Sequence, residues 1–164
     1  MRRKVLCLGM ALGMTAAIFS CGGYDTSKDN RDRCQTNMTV MWQKLRAWSS
    51  EKGGTPSQLG SLYPHPLGDR TMFRCPSSSD DPTKFEEGAV LQPHQCSYIY
   101  YHLGCFTDLD PELAGKLLIL FEKKSFHGPG RNVAFADGKV TYVEKAEFDT
   151  ALAFTEDWIK KNMK

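Results

Sequence analysis

The sequence is short of the features that usually announce a function. Its longest mostly apolar run, residues 5–19, falls below the roughly 20 residues a membrane-spanning helix requires. There is no Gly-x-Ser-x-Gly elbow or other nucleophile motif, so acyl-transfer chemistry lacks its local signature. No paired Cys-x-x-Cys is present, which argues against a structural zinc site of the usual spacing. No EF-hand pattern, internal repeat or sustained heptad run is found either. Basic residues barely exceed acidic ones, 21 against 19. Setting aside Arg2, Arg3 and Lys4 leaves 18 against 19, a net charge of about −1, with no basic patch; nucleic acid is not expected as a partner.

What the sequence does contain begins at its N-terminus. Met1-Arg2-Arg3-Lys4 is a basic lead, and the apolar run after it has the length of a signal-peptide core. Ile18-Phe19-Ser20-Cys21 then resembles a bacterial lipobox, which implies cleavage before Cys21 and diacylation of that cysteine. A plain secretory signal cut nearby is the alternative. The expected organisation is a lipoprotein signal peptide over residues 1–20, a polar tether over 21–28 and one globular domain over 29–164. Gly22 is not the aspartate that retains lipoproteins at the inner membrane. By that analogy the expected location is the bacterial cell envelope, lipid-anchored, at the outer rather than the inner membrane.

Beyond Cys7 and Cys21, four cysteines remain: Cys34, Cys75, Cys96 and Cys105. In an exported domain they read as two disulfides with three connectivities. Cys34–Cys75 with Cys96–Cys105 is the pairing expected. A zinc alternative would draw on His94-x-Cys96 and His102-x-x-Cys105.

Periodicity predicts a helix from about Asp29 to Lys52, with Cys34, Met38, Met41, Trp42, Leu45 and Trp48 on one face. Asp29, Asn30 and Asp32 suit its start, and Gly53-Gly54 with Pro56 its end. A short helical turn should follow through Leu62, burying Leu59 and Leu62. Met72–Pro76 reads as a brief extended segment, and 77–93 as a long polar loop. Residues 96–102 read as an aromatic strand and 103–115 as a loop or a helical turn around Pro111-Glu112-Leu113-Ala114. Leu117–Phe121 reads as a strand buried on both faces, with Glu122-Lys123-Lys124 ending it in solvent. Asp137-Gly138 predicts a two-residue type I′ turn between strands 131–136 and 139–143. That register pairs Phe135 with Val140 and Val133 with Tyr142. Residues 145–163 are helical, with Thr155-Glu156-Asp157 as an expected interruption. The fold class is α+β: a long N-terminal helix packed on a small antiparallel sheet with a C-terminal helix.

The hairpin carries a resemblance. His127, nine residues, then Asp137-Gly138 is similar to the His-x9-Asp-Gly motif of pseudopilin-like proteins of planctomycete type, within His127-Gly128-Pro129-Gly130-Arg131-Asn132-Val133-Ala134-Phe135-Ala136-Asp137-Gly138-Lys139-Val140. Pro129 stands where the family has a glycine. Arg33-Cys34-Gln35-Thr36-Asn37-Met38, Gly53-Gly54-Thr55-Pro56, Phe73-Arg74-Cys75-Pro76 and Leu117–Glu122 resemble further family segments in the same order, over about residues 31–153. The chain departs at its N-terminus: the lipobox and a polar tether replace the prepilin peptidase site and apolar half-helix. The resemblance therefore implies a pilin-like head on a lipid anchor, related to type II secretion or type IV pilin-like systems.

Within that motif His127, Gly128, Gly130, Asn132, Asp137 and Gly138 are read as structural, with His127 capping the hairpin entry or bonding a carboxylate such as Glu122. Gly128-Pro129-Gly130 leads into a strand rather than a helix, which makes it a poor anion cradle. Asp108 and Asp110 are calcium candidates, since major pseudopilins bind calcium in a loop of this region, although Pro111-Glu112 equally suits a helix start. No cofactor is expected and no residue is assigned to catalysis. The expected function is non-enzymatic, structural or protein-interacting. The expected partners are the membrane, through the lipid, and envelope or secretion-system proteins. The alternative is a periplasmic or surface lipoprotein binding a small ligand or peptide on Tyr98, Tyr100 and Tyr101.

Overall fold

The computed structural model describes residues 26–86 and 88–163. The lipobox, Cys21 and most of the expected tether lie outside them. Helix α1 spans Thr26–Lys52, strand β1 Tyr98–Tyr100, the single-turn helix α2 Pro111–Ala114, strands β2 Leu118–Glu122, β3 Arg131–Phe135 and β4 Val140–Val143, and helix α3 Lys145–Asn162. Short 3-10 turns lie at Leu59–Leu62, Arg70–Phe73, Pro82–Lys84 and Phe106–Asp108. The strands form an antiparallel sheet in the order β1-β2-β3-β4. The α+β class and the order of its elements are as expected.

Helix α1 is already formed at Thr26, three residues before the expected start, so residues 26–28 of the expected tether are helical. Its heptad-like spacing places Cys34, Met38, Met41 and Leu45 in the interior at 0 % exposure, with Trp42 and Trp48 half-buried at the edge. Each such aliphatic or thioether side chain removed from water stabilises the fold by ~1.5–3 kcal/mol. Gly53 closes the helix, its N–H returning to Ser49 O at 2.9 Å.

The sheet is covered on both faces. Leu120, Ala134 and Ala136 pack with the α1 residues, while Leu118, Phe121, Val133, Phe135 and Val143 pack with Phe148 of α3. The small alanine face of β3 thus lies under α1 and the large face under α3. All five residues of β2 are buried. A bulge between Leu118 and Leu120 interrupts its pairing with β3. There the N–H of Leu118 donates to Thr155 Oγ1 at 2.9 Å, and that hydroxyl donates to Ala151 O. Thr155 is therefore a buried link between α3 and the sheet, not an interruption of the helix.

The hairpin differs from the expected one by a single residue of register. Ala134 pairs with Val140, Val133 with Thr141 and Asn132 with Tyr142. Among the described residues no non-glycine residue has positive φ, whereas Gly138 has φ 99°. Asp137 thus cannot take the I′ conformation. Instead Gly138 N donates to Phe135 O (3.0 Å), Phe135 N to Lys139 O (2.9 Å) and Lys139 N to Asp137 Oδ1 (2.9 Å). This is the three-residue turn with a glycine bulge, favoured because only the glycine must enter the left-handed region. A side chain at Gly138 would also strike the Trp42 ring at 2.8 Å.

Two further expectations are corrected. Of the segment 72–76 expected to be extended, Met72 and Phe73 instead belong to a 3-10 turn, Arg70–Phe73, which Asp69 caps by accepting from Thr71 N at 2.8 Å, and Arg74 is extended. The end of β2 does not enter solvent: Glu122 is fully buried. Lys123 is held by Asp80 Oδ1 (2.5 Å), Cys96 O (2.8 Å) and Pro93 O, which fastens the 77–96 loop to the sheet.

Candidate functional site

Four of the fold's segments converge between α1 and the sheet. Cys34 comes from the buried face of α1 and Cys75 from just beyond the 70–73 turn. Glu122 stands at the end of β2 and His127 in the loop entering β3. Their sulfur, nitrogen and carboxylate donor atoms all lie within 4.8 Å of one another, and all four residues are buried. The closest approaches are Cys34 Sγ to Glu122 Oε1 at 2.8 Å, Cys75 Sγ to His127 Nε2 at 3.1 Å and His127 Nε2 to Glu122 Oε1 at 3.1 Å.

Each donor is oriented by its surroundings. Glu122 Oε2 accepts from Asn132 N at 2.9 Å and Oε1 from Asn132 Nδ2 at 3.1 Å. Asn132 is in turn fixed by Gln35 of α1, whose Nε2 donates to Asn132 Oδ1 at 3.0 Å. The Cys34 thiol donates to Glu122, which leaves the Tyr98 hydroxyl, 3.1 Å away, to donate to the sulfur. His127 Nδ1 is buried and has no hydrogen-bond partner among the described residues. Its inward Nε2 is therefore the nitrogen that takes part in the cluster.

Protonation follows from this packing. Hydrogen bonding with Cys75, burial and the Glu122 charge together raise the Cys34 pKa far above that of a free thiol. Burial holds His127 below its ordinary 6.5; Glu122 opposes this and the Arg31 charge reinforces it. Burial likewise pushes Tyr98 well up. At neutral pH these shifts favour a Cys34 thiol and a neutral imidazole.

The other sequence candidates are dispersed. The expected disulfides are not formed, and all four cysteines are free. Cys34 and Cys75 do meet, but inside the cluster with Glu122 and His127. Cys96 turns its thiol to Tyr98 O at 3.4 Å, whereas Cys105 faces Ser49 Oγ at 3.8 Å and Thr107 Oγ1 at 3.2 Å. The His94/Cys96 and His102/Cys105 sets do not assemble: His102 Nδ1 meets Thr55 Oγ1 at 2.9 Å instead. Asp110 is the cap of α2, its Oδ1 accepting from Glu112 N and Leu113 N, and Asp108 accepts from Thr107 Oγ1. The Gly128–Gly130 cradle is filled by Tyr142, whose hydroxyl accepts from Gly130 N at 2.6 Å. The three tyrosines do not form one face: Tyr98 and Tyr100 border a cavity of about 430 Å³, Tyr98 being mostly buried and Tyr100 donating to Pro56 O, whereas Tyr101 lies outside it and donates to Glu156.

Sequence reasoning anticipated a bond between His127 and Glu122 but not the two cysteines and Asn132 around it. A signal was present, since Glu122 follows Leu120 at period two and shares its face, the one under α1. No family model, curated protein or solved structure matches the chain.

Proposed function

We propose that this chain is a bacterial envelope protein, attached through lipid on Cys21, whose pseudopilin-like head has a structural or protein-interaction role alongside secretion- or pilus-type components. The supporting observation is convergence. Four of the five segments on which the resemblance rests, 33–38, 73–76, 117–122 and the stretch from His127, meet at one buried node. A node with Cys34, Cys75 and Glu122 at 0 % exposure and His127 at 9 % braces a helix against a sheet and offers a substrate no approach. This favours a non-enzymatic head. Among the described residues no helix is long and apolar enough to cross a membrane; the proposed anchor is the lipid, at the outer membrane.

The test is cross-linking of the full chain in native membranes, with identification of what is caught, alongside labelling with a clickable fatty acid. Recovery of secretion or pilus components, with label lost in Cys21→Ala, supports the reading. A chain that stays monomeric, or a Cys21→Ala variant that keeps its fatty-acid label, sinks it.

A further inference from the structure

We propose that Cys34, Cys75, Glu122 and His127 form a tetrahedral site for a single thiophilic divalent cation of the zinc type. The inference is independent of the envelope reading, because it rests only on the geometry and chemistry of the cluster.

Four donors whose atoms lie within 4.8 Å of one another need little movement to enclose an ion. Bonds of ~2.3 Å to sulfur and ~2.0–2.1 Å to nitrogen or oxygen at tetrahedral angles imply donor separations of ~3.3–3.8 Å. The three short approaches, 2.8, 3.1 and 3.1 Å, open by ~0.2–1 Å to reach them. The donor set is selective: two thiolates with an imidazole suit zinc, whereas calcium and magnesium require a shell of oxygens. The ligands come from four separate segments, so the ion would tie α1, the 70–76 turn, β2 and the β3 entry together.

The surroundings are those of a built site. Glu122 is positioned by both the N–H and the side-chain amide of Asn132, Asn132 by Gln35, and Cys34 by the Tyr98 hydroxyl. Such outer contacts orient ligands and strengthen binding. A fully buried carboxylate whose neighbours are an imidazole, a thiol and an amide is also costly without a cation. Cation entry would displace the thiol protons of Cys34 and Cys75 to solvent and leave the imidazole proton on Nδ1. A polar hollow of about 410 Å³ is lined in part by Arg33, Arg74 and Pro76, the chain neighbours of the two cysteines.

The experiment uses the full chain purified from bacterial membranes in detergent. Metal analysis of the protein as isolated is followed by chelation, reduction and titration with Co²⁺ and then Zn²⁺. The expected result is about one equivalent of metal per chain, a tetrahedral cobalt spectrum with thiolate charge-transfer bands, and displacement of cobalt by zinc with a raised Tm. Cys34→Ser should lose about half of the charge-transfer intensity. Asn132→Ala, which keeps all four ligands, should bind ~10–100-fold more weakly. A Cys96→Ser/Cys105→Ser variant should give the unaltered spectrum, which keeps the test informative if a ligand variant fails to fold. Failure of the reduced wild-type chain to take up cobalt would overturn the proposal. So would an isolated chain in which peptide mapping finds Cys34 and Cys75 joined as a disulfide without metal.

Discussion

Replacing Gly138 by alanine tests the junction between the hairpin and α1. Two separable effects act at this position. Gly138 has φ 99°, and an L-residue forced to positive φ costs about 1–2 kcal/mol. An added Cβ would lie 2.8 Å from two carbons of the Trp42 ring and 3.1 Å from a third. Carbon pairs settle at ~3.5–4.0 Å. Relieving this overlap must move the indole, whose Nε1 donates to Ala136 O at 3.3 Å, or the turn itself. Overpacking of this kind costs a further ~1–3 kcal/mol. The sum, ~2–5 kcal/mol, corresponds to a Tm lowered by roughly 5–20 °C for a domain of this size. Urea unfolding followed by far-UV circular dichroism measures it, and a double-mutant cycle separates the parts. In a Trp42→Leu background the steric part disappears and only the backbone part remains. Equal costs for Gly138→Ala in both backgrounds would refute the packing argument, and no cost in either would refute the backbone one.

Two further perturbations follow from the same structure. Thr155→Val leaves the buried N–H of Leu118 without its acceptor and should destabilise by ~1–3 kcal/mol in urea unfolding, whereas Thr155→Ser keeps the bond and should cost much less. The Asp80 carboxyl is partly buried, which raises its pKa, but hydrogen bonds from Lys123, Ser97 and Ser78 prevail and hold it below the ordinary 3.8. A carboxylate depressed in this way contributes stability that is fully present above pH 3.8 and is lost as pH falls through its folded value. The urea midpoint of the wild type should therefore fall between pH 5 and pH 2.5 by more than that of Asp80→Asn, and parallel declines would contradict this.

The long helix, the buried strand and the terminal helix were legible because their apolar spacing is local and regular. Met38, Met41 and Leu45 repeat along one stripe, and residues 117–121 are apolar without a break. The hairpin was half legible. Asp137-Gly138 located the turn, but whether both residues or only the glycine adopt positive φ depends on Trp42 above it and on Asp137's bond to Lys139. A one-residue change of register then exchanges the faces of β3 and β4, since side chains alternate. Glu122 was misread for a related reason. A charged residue after an apolar run looks like a strand end, and only its partners, Asn132, His127 and Cys34, make its burial acceptable.

By itself, the sequence determined the class and order of elements, because periodicity and turn chemistry act over a few residues at a time. It also supplied the cysteines, the histidine and the glutamate as chemical types. Which of them meet was decided only by tertiary structure. Positions 34, 75, 122 and 127 are brought together by the packing of α1 on the sheet and by the 70–73 turn, while Cys96 and Cys105 are sent elsewhere. Burial at that junction removes competing water, so side chains distant in sequence must satisfy one another there.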